Sequence, residues 1–160
     1  MPGKYAKFIA FITNPIFLSA VFSWLGAQFL KTIIDLIYGR IKSFKRLIES
    51  MFWRTGGMPS SHSSTVSAVT TAIGVKEGLS SHLFMLALLM AFVTMRDAVG
   101  VRRSSGLQAK KINELGQELL KNGQISEYKP IKEVNGHTPI QVIMGCLLGI
   151  LIGLSMSLLM

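Results

Sequence analysis

Residues 138–159 read TPIQVIMGCLLGILIGLSMSLL, an uncharged run of 22 residues. At about 1.5 Å per helical residue it is long enough to cross the ~30 Å hydrocarbon core of a bilayer. Its glycines, Gly145, Gly149 and Gly153, recur every fourth residue. Such a stripe lets another helix approach closely, either within the chain or in a homodimer. Three further spans are predicted upstream. Residues 14–38 form the first; Phe17 to Leu30 is mostly apolar and uncharged, with Lys31 and Asp35 near its end. Residues 59–75 are rich in Ser, Thr and Ala, a weakly hydrophobic composition that suits a helix packed tightly among neighbours. Residues 82–99 form the third. Trp24, deep in the first span, reads as core, and Trp53, beside a basic loop, as an interface anchor. Residues 107–120 set Ile112, Leu115, Leu119 and Leu120 against Lys110, Lys111, Glu114 and Glu118, the pattern of an amphipathic helix lying on the membrane surface. Asn122-Gly123 ends it, and loop is expected as far as Gly136. The expected fold is all-α: a polytopic bundle of about four spans plus one surface helix, in a single domain covering 1–160.

The chain is 49% hydrophobic yet carries a net charge of +9. Its charges are concentrated between apolar runs, which fits basic loops at anionic lipid headgroups and not a nucleic-acid binder. The first and third loops hold twelve Lys and Arg, among them Arg40, Lys42, Lys45, Arg46 and Arg54, against three on the other side, Lys4, Lys7 and Lys76. The excess places those loops in the cytoplasm and both termini outside, as expected for a bacterial inner-membrane protein. Cys146 is the sole cysteine, so no intrachain disulfide forms.

The residues with chemistry gather at the basic-loop end. Gly56 to Ser63 read Gly-Gly-Met-Pro-Ser-Ser-His-Ser: a flexible pair, a helix-starting proline, a row of hydroxyls and a histidine. A helix N-terminus of this kind attracts anions through free N–H groups and its dipole. Lys31 lies two turns inside a span, a costly place for a charge unless it snorkels or meets a partner, and Asp35 one turn on offers an ion pair. Arg96 and Asp97 end the third span, Arg102 and Arg103 follow, and His137 precedes the fourth. Two histidines at two helix starts on one side can divide a phosphoryl transfer, one attacking phosphorus and the other protonating the leaving oxygen. Cationic side chains and helix N–H groups would hold the remaining oxygens. A zinc site is the competing chemical reading, and a weak one, because two histidines and one cysteine inside an apolar run show no convincing ligand set; the expectation is of no cofactor.

Pro59-Ser60-Ser61-His62 resembles the Pro-Ser-Gly-His motif of the type 2 phosphatidic acid phosphatase superfamily, which includes the vanadium-dependent haloperoxidases. The run from His137 to Gly145 resembles its last motif. Together with Arg96-Asp97-Ala98-Val99-Gly100-Val101-Arg102-Arg103 and Gly136-His137-Thr138-Pro139, the chain from about Lys31 to Gly149 is similar to the small divergent branch of that superfamily. The resemblance implies that His137 is the nucleophile and His62 the general acid and later base. It implies that Ser60, the Ser61 amide and Lys31 bind phosphate, without a metal. Three positions depart from the pattern. Ser61 replaces a glycine; Gln141 replaces the aspartate that orients the nucleophilic histidine; and Ile131 replaces an arginine. Arg102 or Arg103 would then supply the missing guanidinium, and Arg54 that of the first motif, with Arg96, Asp97 and Gln141 in orienting roles. The expected activity is hydrolysis of a lipid phosphate or diphosphate. The alternative is a non-catalytic phospholipid or anion binder, or a transport component, on the same scaffold.

Overall fold

The computed structural model describes residues 3–41, 43, 48, 56–133 and 136–160. Lys42, Lys45, Arg46, Trp53 and Arg54 lie outside these described residues. Among the described residues six helices are bounded, in order: α1 (Lys4–Ile12), α2 (Pro15–Ile37), α3 (Ser61–Glu77), α4 (His82–Val99), α5 (Val101–Lys121) and α6 (Pro139–Leu159). Among the described residues there is no strand. Among the described residues three stretches, Pro15–Ile37, His82–Lys121 and Pro139–Leu159, are long and apolar enough to cross a membrane. The protein is an integral membrane helical bundle. Its fourth core helix, α3, falls short of that apolarity because hydroxyl side chains fill it. Helix α3 is instead the enclosed element, packed against α2, α4 and α6.

Local signals explain where the helices begin. Asn14 Oδ1 accepts the amides of Ile16 (2.8 Å) and Phe17 (3.3 Å), and Pro15 sits in the first turn, where a missing N–H costs nothing. Ser81 caps α4 in the same way by accepting the Phe84 amide at 3.1 Å. The sequence gives no such cap for α1, and that helix was not expected. Helix α5 begins at Val101, well before residue 107. It abuts α4 at Gly100, whose ψ of −87° departs from helical geometry.

The bundle is built inside out compared with a water-soluble protein. The buried residues of α2 are Ser19, Ser23, Ala27, Gln28, Lys31, Thr32 and Asp35. Its large side chains, Phe22, Leu25 and Phe29, face outward. Trp24 joins them at 37% exposure, so it is a lipid-facing residue and not core. Lipid solvates an indole or isobutyl group as well as a protein interior does. Contact between helices therefore rewards small residues and hydrogen bonds. The Ser23 and Ser64 hydroxyls illustrate this, bonded at 2.6 Å between α2 and α3.

The glycine stripe of α6 serves the same end. A Cβ placed on Gly145, Gly149 or Gly153 would meet the carbonyl oxygen of Ser60, Ser64 or Ala68 respectively. Helices α3 and α6 therefore run parallel at backbone contact, and all three glycines are buried within the chain. Of the two uses expected for the stripe, the intrachain one occupies this face.

After α5 the chain folds back along that helix, and Asn113 holds it there. Asn113 Nδ2 donates to the Ile131 carbonyl (2.9 Å) and to Glu133 Oε1 (3.0 Å). Its Oδ1 accepts the Tyr128 hydroxyl (2.6 Å) and the Ile131 amide (2.8 Å). The Tyr128 ring lies against Gly116, where any side chain would collide with it. Ile112 and Leu115 remain exposed on the rest of α5.

Candidate functional site

The start of α3 is shaped by two glycines. Gly56 and Gly57 have φ of 81° and 83°, in the left-handed region where a Cβ is disfavoured. They lead through a cis Met58–Pro59 bond to Ser60. Ser60 is the N-cap: its Oγ accepts the Ser63 amide (3.4 Å) and the Ser63 hydroxyl (3.0 Å). Pro59 therefore precedes the cap and does not open the helix. The Ser60 amide donates to the Gln141 carbonyl at 2.9 Å, tying this N-terminus to the first turn of α6. The amides of Ser61 and His62 have no acceptor among the described residues, as the first turn of a helix dictates. Lys31, only 2% exposed, comes up from α2 and donates to Ser61 Oγ at 3.2 Å. Asp35, one turn on, meets Arg40 at 3.5 Å.

His137 reaches the same end along another path. Gly136 lies flat on the backbone of Arg103, where a Cβ would overlap that residue's Cα and N. The His137 amide then donates to the Ala98 carbonyl at 3.1 Å, docking the segment on the α4–α5 junction. Its ring is fixed from the other side. Gln141 Oε1 accepts the Thr138 backbone N–H at 3.0 Å, which establishes that the amide oxygen faces this way. His137 Nδ1, 3.2 Å from the same oxygen, must then carry the proton and donate it. The Nε2 lone pair is left available. Burial holds the His137 pKa below the usual histidine value of about 6.5. The Gln141 bond pulls upward against this, while the positive charges of Lys31, His62 and Arg102 add to the depression.

Arg102 is oriented by an ion pair from its Nε to Asp97 Oδ2. Lys31, Arg102 and Asp97 also act electrostatically on His62. The structure thus gathers His62, His137, Lys31, Ser61, Arg102, Asp97 and Gln141 at one end of the bundle. The His62 side chain is exposed and has no hydrogen-bond partner among the described residues. Ser60 is 0% exposed, and its hydroxyl serves the cap of α3. Arg96 and Arg103 are exposed and make no side-chain bond to the others. Arg54 lies outside the described residues. Among the described residues no three His, Cys, Asp or Glu side chains are grouped as a metal site would need.

Sequence reasoning missed the supports. The Ala98 carbonyl and the flat contact at Gly136 place His137 through backbone, and the Asn113 hub holds Ile131 and Glu133 on α5. The one legible sign is Gly136 directly before His137, a residue type suited to close backbone approach.

A family model described as the Divergent PAP2 family matches residues 12–152. The chain is 38% identical over 156 residues to the "Uncharacterized membrane protein YuiD" of Bacillus subtilis (strain 168), an alignment covering 91% of this chain and 96% of that protein. No solved structure matches.

Proposed function

Because the chain belongs to the Divergent PAP2 family, we propose that it is a metal-independent phosphatase acting on a lipid phosphate or diphosphate, with His137 as nucleophile. The observation that carries this reading is the fixed His137 ring: Nδ1–H held by Gln141, Nε2 unprotonated, with Lys31 and Arg102 near. Nε2 attacks phosphorus and the bond to the leaving oxygen breaks. Its electron pair stays on that oxygen, which takes a proton from the His62 imidazolium. Neutral His62 then removes a proton from water as the water attacks the phosphohistidine. The P–N bond breaks, releasing inorganic phosphate and restoring Nε2. Lys31, Arg102 and the free amides of Ser61 and His62 stabilise the developing charge on the equatorial oxygens. Release of phosphate from phosphatidic acid, phosphatidylglycerophosphate or isoprenyl phosphates by the purified protein tests the reading. Release that is absent, or unaffected by loss of His137, overturns it.

A non-catalytic lipid-phosphate binder is the second reading, favoured by Gln141 in place of a carboxylate. A neutral amide fixes the tautomer but stabilises an imidazolium less well than a carboxylate does. Phosphate release separates the two, and the pH profile of that release tests the part assigned to His137. His137 must be neutral to attack, and burial lowers its pKa, so the acid limb of kcat/KM is expected below about pH 6.5. Gln141→Glu would place a negative charge beside the ring, favour its protonated form and move that limb upward by about one pH unit or more. A limb that stays put in Gln141→Glu would show that His137 is not the group being titrated. The same depressed pKa means that the unfolded chain binds the proton first, so stability falls as pH drops below about 6.5.

The charge asymmetry supports a cytoplasmic site. With Cys146 replaced by Ser, a cysteine at exposed Gln117 on α5 should be shielded from an impermeant thiol reagent in sealed cells and labelled after permeabilisation. Prompt labelling of intact cells would put the site on the opposite side.

A further inference from the structure

Helices α4 and α6 touch little, and α3 lies behind the gap between them. The result is a crevice of about 550 Å³, within the size range of small-molecule sites. Its wall is largely apolar, and two of the three hydroxyls that line it, those of Ser67 and Thr70, are turned to partners. Ser67 Oγ donates to Cys146 Sγ at 3.2 Å, and Thr70 Oγ1 faces the carbonyls of Val66 (2.8 Å) and Ala87 (3.2 Å). One end is lined by Ser67, Met95 and Cys146. Each stands five residues or fewer from a group at the polar site: Ser67 from His62, Met95 from Asp97, Cys146 from Gln141. The other end is closed where Phe84 and Leu79 pack on Gly74, a Cβ at which would sit 3.0 Å from the Phe84 ring and 3.1 Å from Leu79. From Met95 to Phe84 the crevice follows α4 for about 16 Å.

We propose that this crevice receives one hydrocarbon chain of the lipid phosphate, and that Gly74, Leu79 and Phe84 form a floor that limits the chain's length. The proposal rests on the polar site being a lipid-phosphate pocket. Charge complementarity fixes the direction of the occupant: Lys31 and Arg102 hold the phosphate at the open end, and the tail descends between α4 and α6. The crevice lies alongside two membrane-crossing helices and opens sideways between them, so a lipid reaches it without leaving the bilayer.

Cys146, the sole cysteine, reports occupancy without requiring turnover. The purified protein in mild detergent is alkylated with a small permeant maleimide in the presence of octyl, dodecyl or hexadecyl phosphate, hexadecanol or inorganic phosphate. A long-chain phosphate that fills nine-tenths of the sites should slow labelling roughly tenfold, in proportion to the empty fraction. Inorganic phosphate should not slow it, and hexadecanol should do so weakly. Protection should rise with chain length to a limit, and Phe84→Ala should move that limit to longer chains. Equal labelling under all conditions would overturn the proposal, as would equal protection by inorganic phosphate or hexadecanol. Phosphate release from dodecyl phosphate with Cys146 unprotected would keep the phosphatase reading and remove the chain site. Chain-dependent protection without hydrolysis would keep the chain site and remove the phosphatase.

Discussion

His137→Ala is expected to reduce phosphate release by at least about a thousandfold, because it removes the atom proposed to bond to phosphorus. His62→Ala should cost roughly a hundred- to ten-thousandfold, the range of a lost general acid and base. The double variant should be little worse than His137→Ala alone, since in the proposed reaction the two side chains act in one sequence of bond changes. Neither variant should alter helical content. His62 is exposed and makes no side-chain bond among the described residues, and the His137 segment stays docked through its backbone amide on Ala98. Acid quenching of wild-type protein with a phosphate-labelled substrate should trap an acid-labile phosphoprotein that is missing in His137→Ala. A His137→Ala protein that still turns over at the wild-type rate would end the nucleophile assignment, and lipid binding without release would favour the binder.

The chemistry-bearing residues were legible because their types are unusual where they occur. A histidine at a helix start, a lysine two turns inside an apolar run and an arginine pair after a span each stand out from the composition around them. What held them in place was less legible. Ser60 reads as a phosphate ligand from its motif, yet its hydroxyl is consumed in capping α3, and only the three-dimensional turn shows this. Gln141 reads as a loss of function at an aspartate position. In the fold one oxygen accepts both Thr138 N–H and His137 Nδ1–H, so the amide retains the orienting task while giving up the charge. Ile131 stands where an arginine is expected, and both its backbone groups are bound by Asn113. That segment is held on α5.

The helices themselves were visible wherever apolar length or a cap announced them, as in α2, α4 and α6. The weakly hydrophobic α3 was recognisable only by its small residues, and its place at the centre follows from the same composition. Two features escaped. Helix α1 has no cap and buries nothing, so nothing in its sequence separates it from a tail. Trp24 was misjudged because a large aromatic suggests a core, whereas in a bilayer the large residue turns to lipid and Ser23 beside it turns inward.

The second large effect is therefore expected at a residue without a side chain. Gly149→Ala places a methyl group on the Ser64 carbonyl and 2.9 Å from Ser67 Cβ. Neither neighbour can retreat: Ser64 Oγ is bonded to Ser23 at 2.6 Å, and Ser67 belongs to a helix held on three sides. Helices α3 and α6 must separate, at a cost of about 1–3 kcal/mol, and Gly149→Leu should cost more. Thermal unfolding in detergent, followed by helical circular dichroism, measures the loss. Leu151→Ala, two residues on but 64% exposed to lipid, provides the contrast and should change stability much less. The separation should also reach the site, since the Ser60 amide spans α3 and α6 to the Gln141 carbonyl, and Gln141 orients His137. Phosphate release should fall in Gly149→Ala even at temperatures where the protein remains folded. If Gly149→Ala unfolds with the wild type while Leu151→Ala does not, α3 and α6 do not meet at this glycine, and the packing that sets His62 opposite His137 is not the one described.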